Sequence, residues 1–255
     1  LRRQRQMCIR DRSEIIVHPN NSNIIWAASQ GPLWSSGGER GLYKSTDGGE
    51  NWKKVLGGGK WTGVTDIHMD PRNPDRIYAA TWQRHRTVAA LMGGGRESGL
   101  HRSEDGGETW TELKSGLPNY AGKIGFTLSP QKPDVLYASI ELEKRNGAVY
   151  KSEDRGSSWK KMSDLSLGYG TGPHYYQELF ASPHKFDRLY LMNVRILTSE
   201  DGGKTFVELT ERSKHSDNHA IAFREDDPNY LLVGTDAGIY AVSYTHLRAH
   251  ETSRY

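Results

Sequence analysis

One cysteine, Cys8, stands among 255 residues, so no disulfide framework holds the chain, and beyond the terminal segment that contains Cys8 no thiol is present for catalysis. No apolar run approaches the length of a membrane-spanning helix. Helix signals are nearly absent: the one candidate, Thr87 to Met92, is short and runs into Gly93-Gly94-Gly95, so it reads as loop. A strong charge of either sign is also missing. The formal net charge is +3, and residues 1–12 alone contribute +4 (five Arg, one Asp), with +1 from residues 243–255 (Arg248, Arg254, Glu251). Without those ends the chain stands at +3 − 5 = −2, which argues against a nucleic-acid partner. What is plentiful is glycine, tyrosine and tryptophan, at 28, 13 and 7 residues, a composition that suits a turn-rich all-β chain.

The dominant pattern is an eight-residue phrase, Ser-x-Asp-x-Gly-x-x-aromatic, that occurs four times at intervals of 58, 49 and 47 residues. Its copies carry Ser45, Asp47, Gly49 and Trp52; Ser103, Asp105, Gly107 and Trp110; Ser152, Asp154, Gly156 and Trp159; and Ser199, Asp201, Gly203 and Phe206. In each, the carboxylate and hydroxyl are placed to accept the amide hydrogens of a tight turn, and the glycine supplies the positive φ the turn requires. These residues are therefore read as structural. Ahead of each copy lies a second phrase, two β-branched or aromatic runs flanking a Pro/Asn/Asp turn, as in Ile67-His68-Met69-Asp70-Pro71 with Arg76-Ile77-Tyr78. Two hairpins per repeat make four strands, and a period of that size marks a unit that must stack on its neighbours to bury both faces.

The eight-residue phrase resembles the Asp-box, or bacterial neuraminidase repeat. With the second phrase, the pattern over nearly all of residues 13–242 is similar to bacterial sortilin N-terminal-like and glycosyl-hydrolase BNR-repeat proteins of the sialidase-like superfamily. The resemblance implies a β-propeller fragment with four complete four-stranded blades near 13–57, 60–115, 121–163 and 173–210, plus a partial fifth at 217–242. The flanking segments 1–12 and 243–255 abandon the repeat and resemble translated sequencing-adapter read-through, so they are expected to be non-native tails of a metagenomic sequence. The remaining blades of a longer parent would then be partners of this piece.

In a four-stranded meander, the 1–2 and 3–4 turns share one end, and the 2–3 loops and blade crossings share the other. The segments that vary between repeats, Gln30–Arg40, Trp82–Ser98, Glu141–Gly147, Asp164–Pro173 and Thr210–Ser216, fall at the second end, where binding is expected. Candidate ligand contacts there are Trp82, Arg84, Tyr175, Tyr176, His215 and His219, with Trp61 a further stacking platform. Candidate acids are Asp66, Glu178 and Asp217. An extended His215-Ser216-Asp217-Asn218-His219 would put His215, Asp217 and His219 on one side, roughly 6.6 Å apart in sequence order. That spacing lets at most a pair share an ion, so neither a metal site nor a cofactor is assigned.

Sialidase activity is disfavoured, because no Arg-Ile-Pro signature occurs and Arg84, Arg86, Arg96 and Arg195 imitate only part of the three-arginine carboxylate clamp. The resemblance implies a secreted, extracellular or periplasmic, carbohydrate- or peptide-binding module. Its alternatives are a glycoside hydrolase of the xyloglucanase type with two acidic residues, and an interaction scaffold.

Overall fold

A computed structural model of the chain describes residues 12–166, 177–209 and 214–243. It divides into two units, Leu1–Ile124 and Gly125–Tyr255. The first unit holds two sheets. In one, β1 (Arg12–Val17), β2 (Ile25–Ser29), β3 (Gly41–Ser45) and β4 (Lys53–Leu56) form an antiparallel meander. In the other, β5 (Thr62–Asp70) and β6 (Asn73–Gln83) are followed by a small ribbon, β7 (His85–Arg86) with β8 (Leu91–Met92), before β9 (Gly99–Ser103) returns beside β6 and β10 (Thr111–Leu113) closes the sheet. The stretch from Thr87 to Met92 is thus a loop tip that ends in the ribbon's second strand, closed where the amide of Thr87 donates to Ala90 O at 2.8 Å.

The second unit repeats the plan. β11 (Ile124–Leu128), β12 (Leu136–Glu141), β13 (Asn146–Ser152) and β14 (Lys160–Ser166) make one sheet, with a single 3-10 turn, Glu143–Arg145, between β12 and β13. β15 (Leu179–Ala181), β16 (Leu189–Leu191), β17 (Leu197–Ser199) and β18 (Val207–Glu208) make the next. β19 (Asn218–Phe223), β20 (Tyr230–Thr235) and β21 (Gly238–Ser243) complete three strands of a fifth. The chain is all-β, built of β-propeller blades, and no α-helix occurs among the described residues.

The four repeated turns carry the bonds their residues predict. The glycine amides of Gly49, Gly107, Gly156 and Gly203 donate to the serine hydroxyls four residues earlier at 2.8, 2.8, 2.9 and 2.9 Å. Amides of Asn51, Thr109, Ser158 and Thr205 donate to the aspartate carboxylates at 2.9, 2.9, 2.8 and 2.9 Å. Three of the aromatics close the turn through the indole, Trp52 to Gly49 O, Trp110 to Gly107 O and Trp159 to Gly156 O, at 2.9, 3.1 and 3.0 Å. Phe206 has no such donor and instead packs on the apolar seam beside it. The turn needs two consecutive left-handed residues; the third copy fills the first of these places with Arg155, at φ 62°.

A further bond recurs in all four sheets. Amides of Gly48, Gly106, Arg155 and Gly202 donate to the carbonyls of Asn23, Asp75, Asp134 and Asp187, at 3.0, 2.8, 2.9 and 2.9 Å. Each ties a sheet's 3–4 turn to its own 1–2 turn. Both turns therefore occupy one end of the sheet, and the 2–3 loop occupies the other.

The core sits in the seams between sheets. In the first unit Trp26, Ala28 and Leu42 pack against Val64, Ile67, Ile77 and Ala79. In the second unit Val135, Tyr137, Val149 and Leu165 meet Leu179, Leu189 and Leu191, and the other side of that fourth sheet, through Tyr190, Met192 and Ile196, meets Leu231, Val233 and Val242. Seam packing explains why single sheets here carry apolar residues on both faces. Polar groups reach across the first seam as well: the Trp26 indole donates to Gly106 O at 3.2 Å, and Lys44 and Lys53 hold Glu108 at 2.8 and 3.1 Å.

Candidate functional site

At the loop end of the first unit, Arg40 organises the variable segment before β3. Its guanidinium, 2% exposed, donates to the carbonyls of Gly37, Gln30 and Ser35 at 2.9, 2.8 and 2.9 Å and also to Pro32 O. A planar donor fork at the centre of a loop replaces the strand ladder that the loop lacks. The loop is then bound to its neighbour: Gly37 N to Lys60 O at 2.7 Å, Arg86 N to Leu33 O at 3.0 Å, and Arg84 Nη2 to Gly31 O at 3.0 Å.

The scaffold so formed presents aromatic rings with cations at their faces. Trp34 is 59% exposed, with the Arg86 guanidinium 5.2 Å from its ring centre. Half-buried Trp61 stacks on His85 at 3.8 Å between centroids and has Lys60 and Arg40 at 5.8 and 5.9 Å. Tyr120, 48% exposed, receives a bond from Arg96 Nε at 2.7 Å. Glu97 links the same end by accepting from Gly59 N at 3.0 Å and from the Thr62 hydroxyl. Exposed aromatic rings beside fixed donors suit a ligand with apolar C–H faces and hydroxyl rims.

A second constellation lies on the first strands of both sheets in this unit. Glu14 on β1 and Asp66 and His68 on β5 are all half-buried, and one ligand atom from each lies within 4.8 Å of the others. His68 Nε2 is 3.1 Å from Asp66 Oδ1, and the Ile67 amide donates to Glu14 Oε2 at 2.9 Å across the seam. Both strands shift register just before the acid, between Arg12 and Glu14 and between Val64 and Asp66. Such bulges re-aim a side chain. Burial, then the neighbouring Asp66 charge, pushes the Glu14 carboxyl up to about 8.

The family model described as Sortilin, neurotensin receptor 3 (Sortilin-Vps10) matches residues 40–169, just over half of the chain. The chain belongs to the Sortilin-Vps10 family. Among curated proteins, this family member is similar to an oligoxyloglucan-reducing end-specific xyloglucanase of Emericella nidulans. The two are 26% identical over 206 residues, 73% of this chain and 23% of the relative. It is also similar to a probable enzyme of the same name from Neosartorya fischeri, 24% identical over 188 residues, 63% of this chain and 22% of the relative. The chain thus spans less than a quarter of the length of these relatives. Among solved structures, the GH74 xyloglucanase from Xanthomonas campestris superposes with a TM-score of 0.63 at 18% identity, over 92% of this chain and 37% of that one, a likeness of fold.

The residues singled out by sequence fall in several environments in this Sortilin-Vps10 chain. Trp82 is 1% exposed, with its indole donating to Gly93 O at 2.8 Å, so it is a core residue rather than a stacking platform. Arg84 is likewise buried, its guanidinium 4.9 Å from the Trp82 ring. Asp66 joins Glu14 and His68 in the first unit. Glu178, half-buried, lies in the second, its carbonyl accepting from Met192 N at 2.8 Å. The expected alignment of His215, Asp217 and His219 does not form. Asp217 adopts a left-handed φ of 62°, which breaks the extended path, and β19 begins one residue later. His215 bonds Ser216 O at 2.7 Å, and His219 pairs with Asp236 at 2.7 Å. Tyr175 and Tyr176 lie outside the described residues.

Sequence reasoning missed Glu14, His68, Trp34 and Arg40. For Glu14 a signal was present: aligning Glu14-Ile15-Ile16-Val17-His18-Pro19 with Asp66-Ile67-His68-Met69-Asp70-Pro71 places the two acids at one position of the repeat. Arg40 offered none, since a loop arginine is ordinarily solvated.

Proposed function

We propose that this chain is a glycan-binding propeller module whose ligand is a β-glucan chain of the xyloglucan type, held on the loop end of the first two blades. The observation that carries the reading is the exposed Trp34 ring, with Arg86 at 5.2 Å, on the same loop end as the Trp61–His85 stack. Flat aromatic faces pack against the C–H faces of pyranose rings, and the guanidinium and carboxylate groups around them bond the hydroxyl rim. The names of the similar xyloglucanases support the choice of sugar. An extracellular location belongs to the same proposal, because that is where such polysaccharide lies.

Isothermal titration of the chain with xyloglucan oligosaccharides is expected to give saturable binding, and Trp34→Ala to weaken it about tenfold or more, roughly 1.4 kcal/mol, with the melting midpoint unchanged. A chitin oligomer and an extended peptide serve as comparison ligands. Equal or tighter binding of either, or full affinity in Trp34→Ala, overturns the proposal. New reducing ends are not expected in the same samples. Their release, lost in Asp66→Asn, would replace binding with hydrolysis as the function.

A further inference from the structure

We propose that Glu14, Asp66 and His68 form a binding site for one divalent transition-metal ion of the zinc class. The site shares no residue with the aromatic platform and does not depend on the glycan reading. Two carboxylates and one imidazole are ligand types that zinc and its first-row neighbours accept together, while calcium and magnesium prefer all-oxygen sets. At metal–ligand bonds of about 2.0–2.2 Å, tetrahedral geometry puts donor atoms about 3.3–3.6 Å apart. His68 Nε2 and Asp66 Oδ1 already stand 3.1 Å apart, and all three donors lie within 4.8 Å, so small side-chain rotations complete the shell.

The surroundings support the three ligands. The Ile67 amide bonds Glu14 Oε2 at 2.9 Å, and the Ser13 hydroxyl bonds Val64 O at 3.1 Å, so the two strands that contribute the ligands are held across the seam. Such outer bonds orient a ligating carboxylate. Each acid follows a register shift in its own strand, which turns two repeat-equivalent side chains toward one point. Half-burial of all three leaves an approach for the ion, and three protein ligands leave a fourth position for water or for an incoming oxygen ligand. An ion there also offsets the repulsion of two carboxylates held side by side.

The test uses the full chain carrying Cys8→Ser, so that no thiol competes. After chelator treatment it is dialysed against micromolar zinc chloride and its metal content measured, with thermal midpoints recorded in zinc, calcium and chelator. One zinc per chain is expected, with a midpoint several degrees higher in zinc than in calcium. Glu14→Gln and His68→Gln should each lose the zinc and the shift, while His219→Gln keeps both. Should either ligand variant fail to fold, cobalt(II) bound to the unsubstituted site should show the visible absorption of a four-coordinate ion, displaced by one equivalent of zinc. Zinc at well under one equivalent, zinc retained in full by folded Glu14→Gln and His68→Gln, or a larger shift in calcium overturns the assignment.

Discussion

Arg40→Ala is expected to destabilise the chain by about 3 kcal/mol or more, lowering the melting midpoint by roughly ten degrees. The guanidinium is the shared partner of the Gly37, Gln30, Ser35 and Pro32 carbonyls, in a place where water does not substitute for it. Removing it strands several acceptors at once and empties the volume of a long side chain. Arg40→Lys is expected to recover little, because a single ammonium cannot address carbonyls that diverge around a planar fork. The same change reaches the proposed binding surface. Trp34 lies between Pro32 and Ser35, so a loosened loop should lower oligosaccharide affinity even at temperatures where the chain remains folded. Calorimetry and titration on one preparation check both effects; a midpoint within a degree or two of the parent would show that the loop holds itself without its central arginine.

Acidification is expected to attack the four repeated turns. In Asp201, burial opposes ionisation, but bonds from the Thr205 hydroxyl and amide and from Ser199 outweigh it and hold the carboxyl at about 2. Bonds from the Asn51 amide and side chain, and then from Ser45, hold Asp47 at about 2. Bonds from the Thr109 side chain and amide hold Asp105 below its usual range, and bonds from Ser158 outweigh burial to lower Asp154. Since folding depresses these values, the stability they contribute is fully present above the ordinary carboxylate pKa near 3.8 and is lost as pH falls through about 2. The melting midpoint should therefore drop steeply between pH 4 and pH 2. Asp201→Ala should lose about 1–3 kcal/mol at neutral pH, as expected when turn donors lose their acceptor, and should show a shallower acid drop than the parent. A parallel acid drop in the variant would mean that other carboxylates govern it.

Both expectations trace back to different kinds of information. The turns were legible because their bonds are local: serine, aspartate and glycine at alternate positions close one turn, so an eight-residue phrase states both residues and geometry. Counting those phrases was enough to recover strands, blades and the all-β class. It also located the end of each sheet that carries the variable loops, since a meander's connectivity decides which turns share an end.

The site was legible only in part. Asp66 was readable as a candidate acid, yet its partner Glu14 accepts a bond from a residue 53 positions away, and only the packed seam brings them together. His68 follows Asp66 by two residues on the same face of β5, but Glu14 reaches the pair only because β1 packs against β5. The alignment inferred for His215, Asp217 and His219 assumed continuous strand, and one left-handed residue at Asp217 undid it. Trp82 and Arg84 sit in a variable loop by sequence but in the core by packing, because Gly93 and Gly31 fold back to supply the acceptors their donors need. The sequence by itself thus determined the repeat, the turns and the blade plan, all of which depend on interactions within a few residues. Tertiary structure alone decided which polar side chains meet and which face water, because those outcomes depend on how one sheet packs against the next.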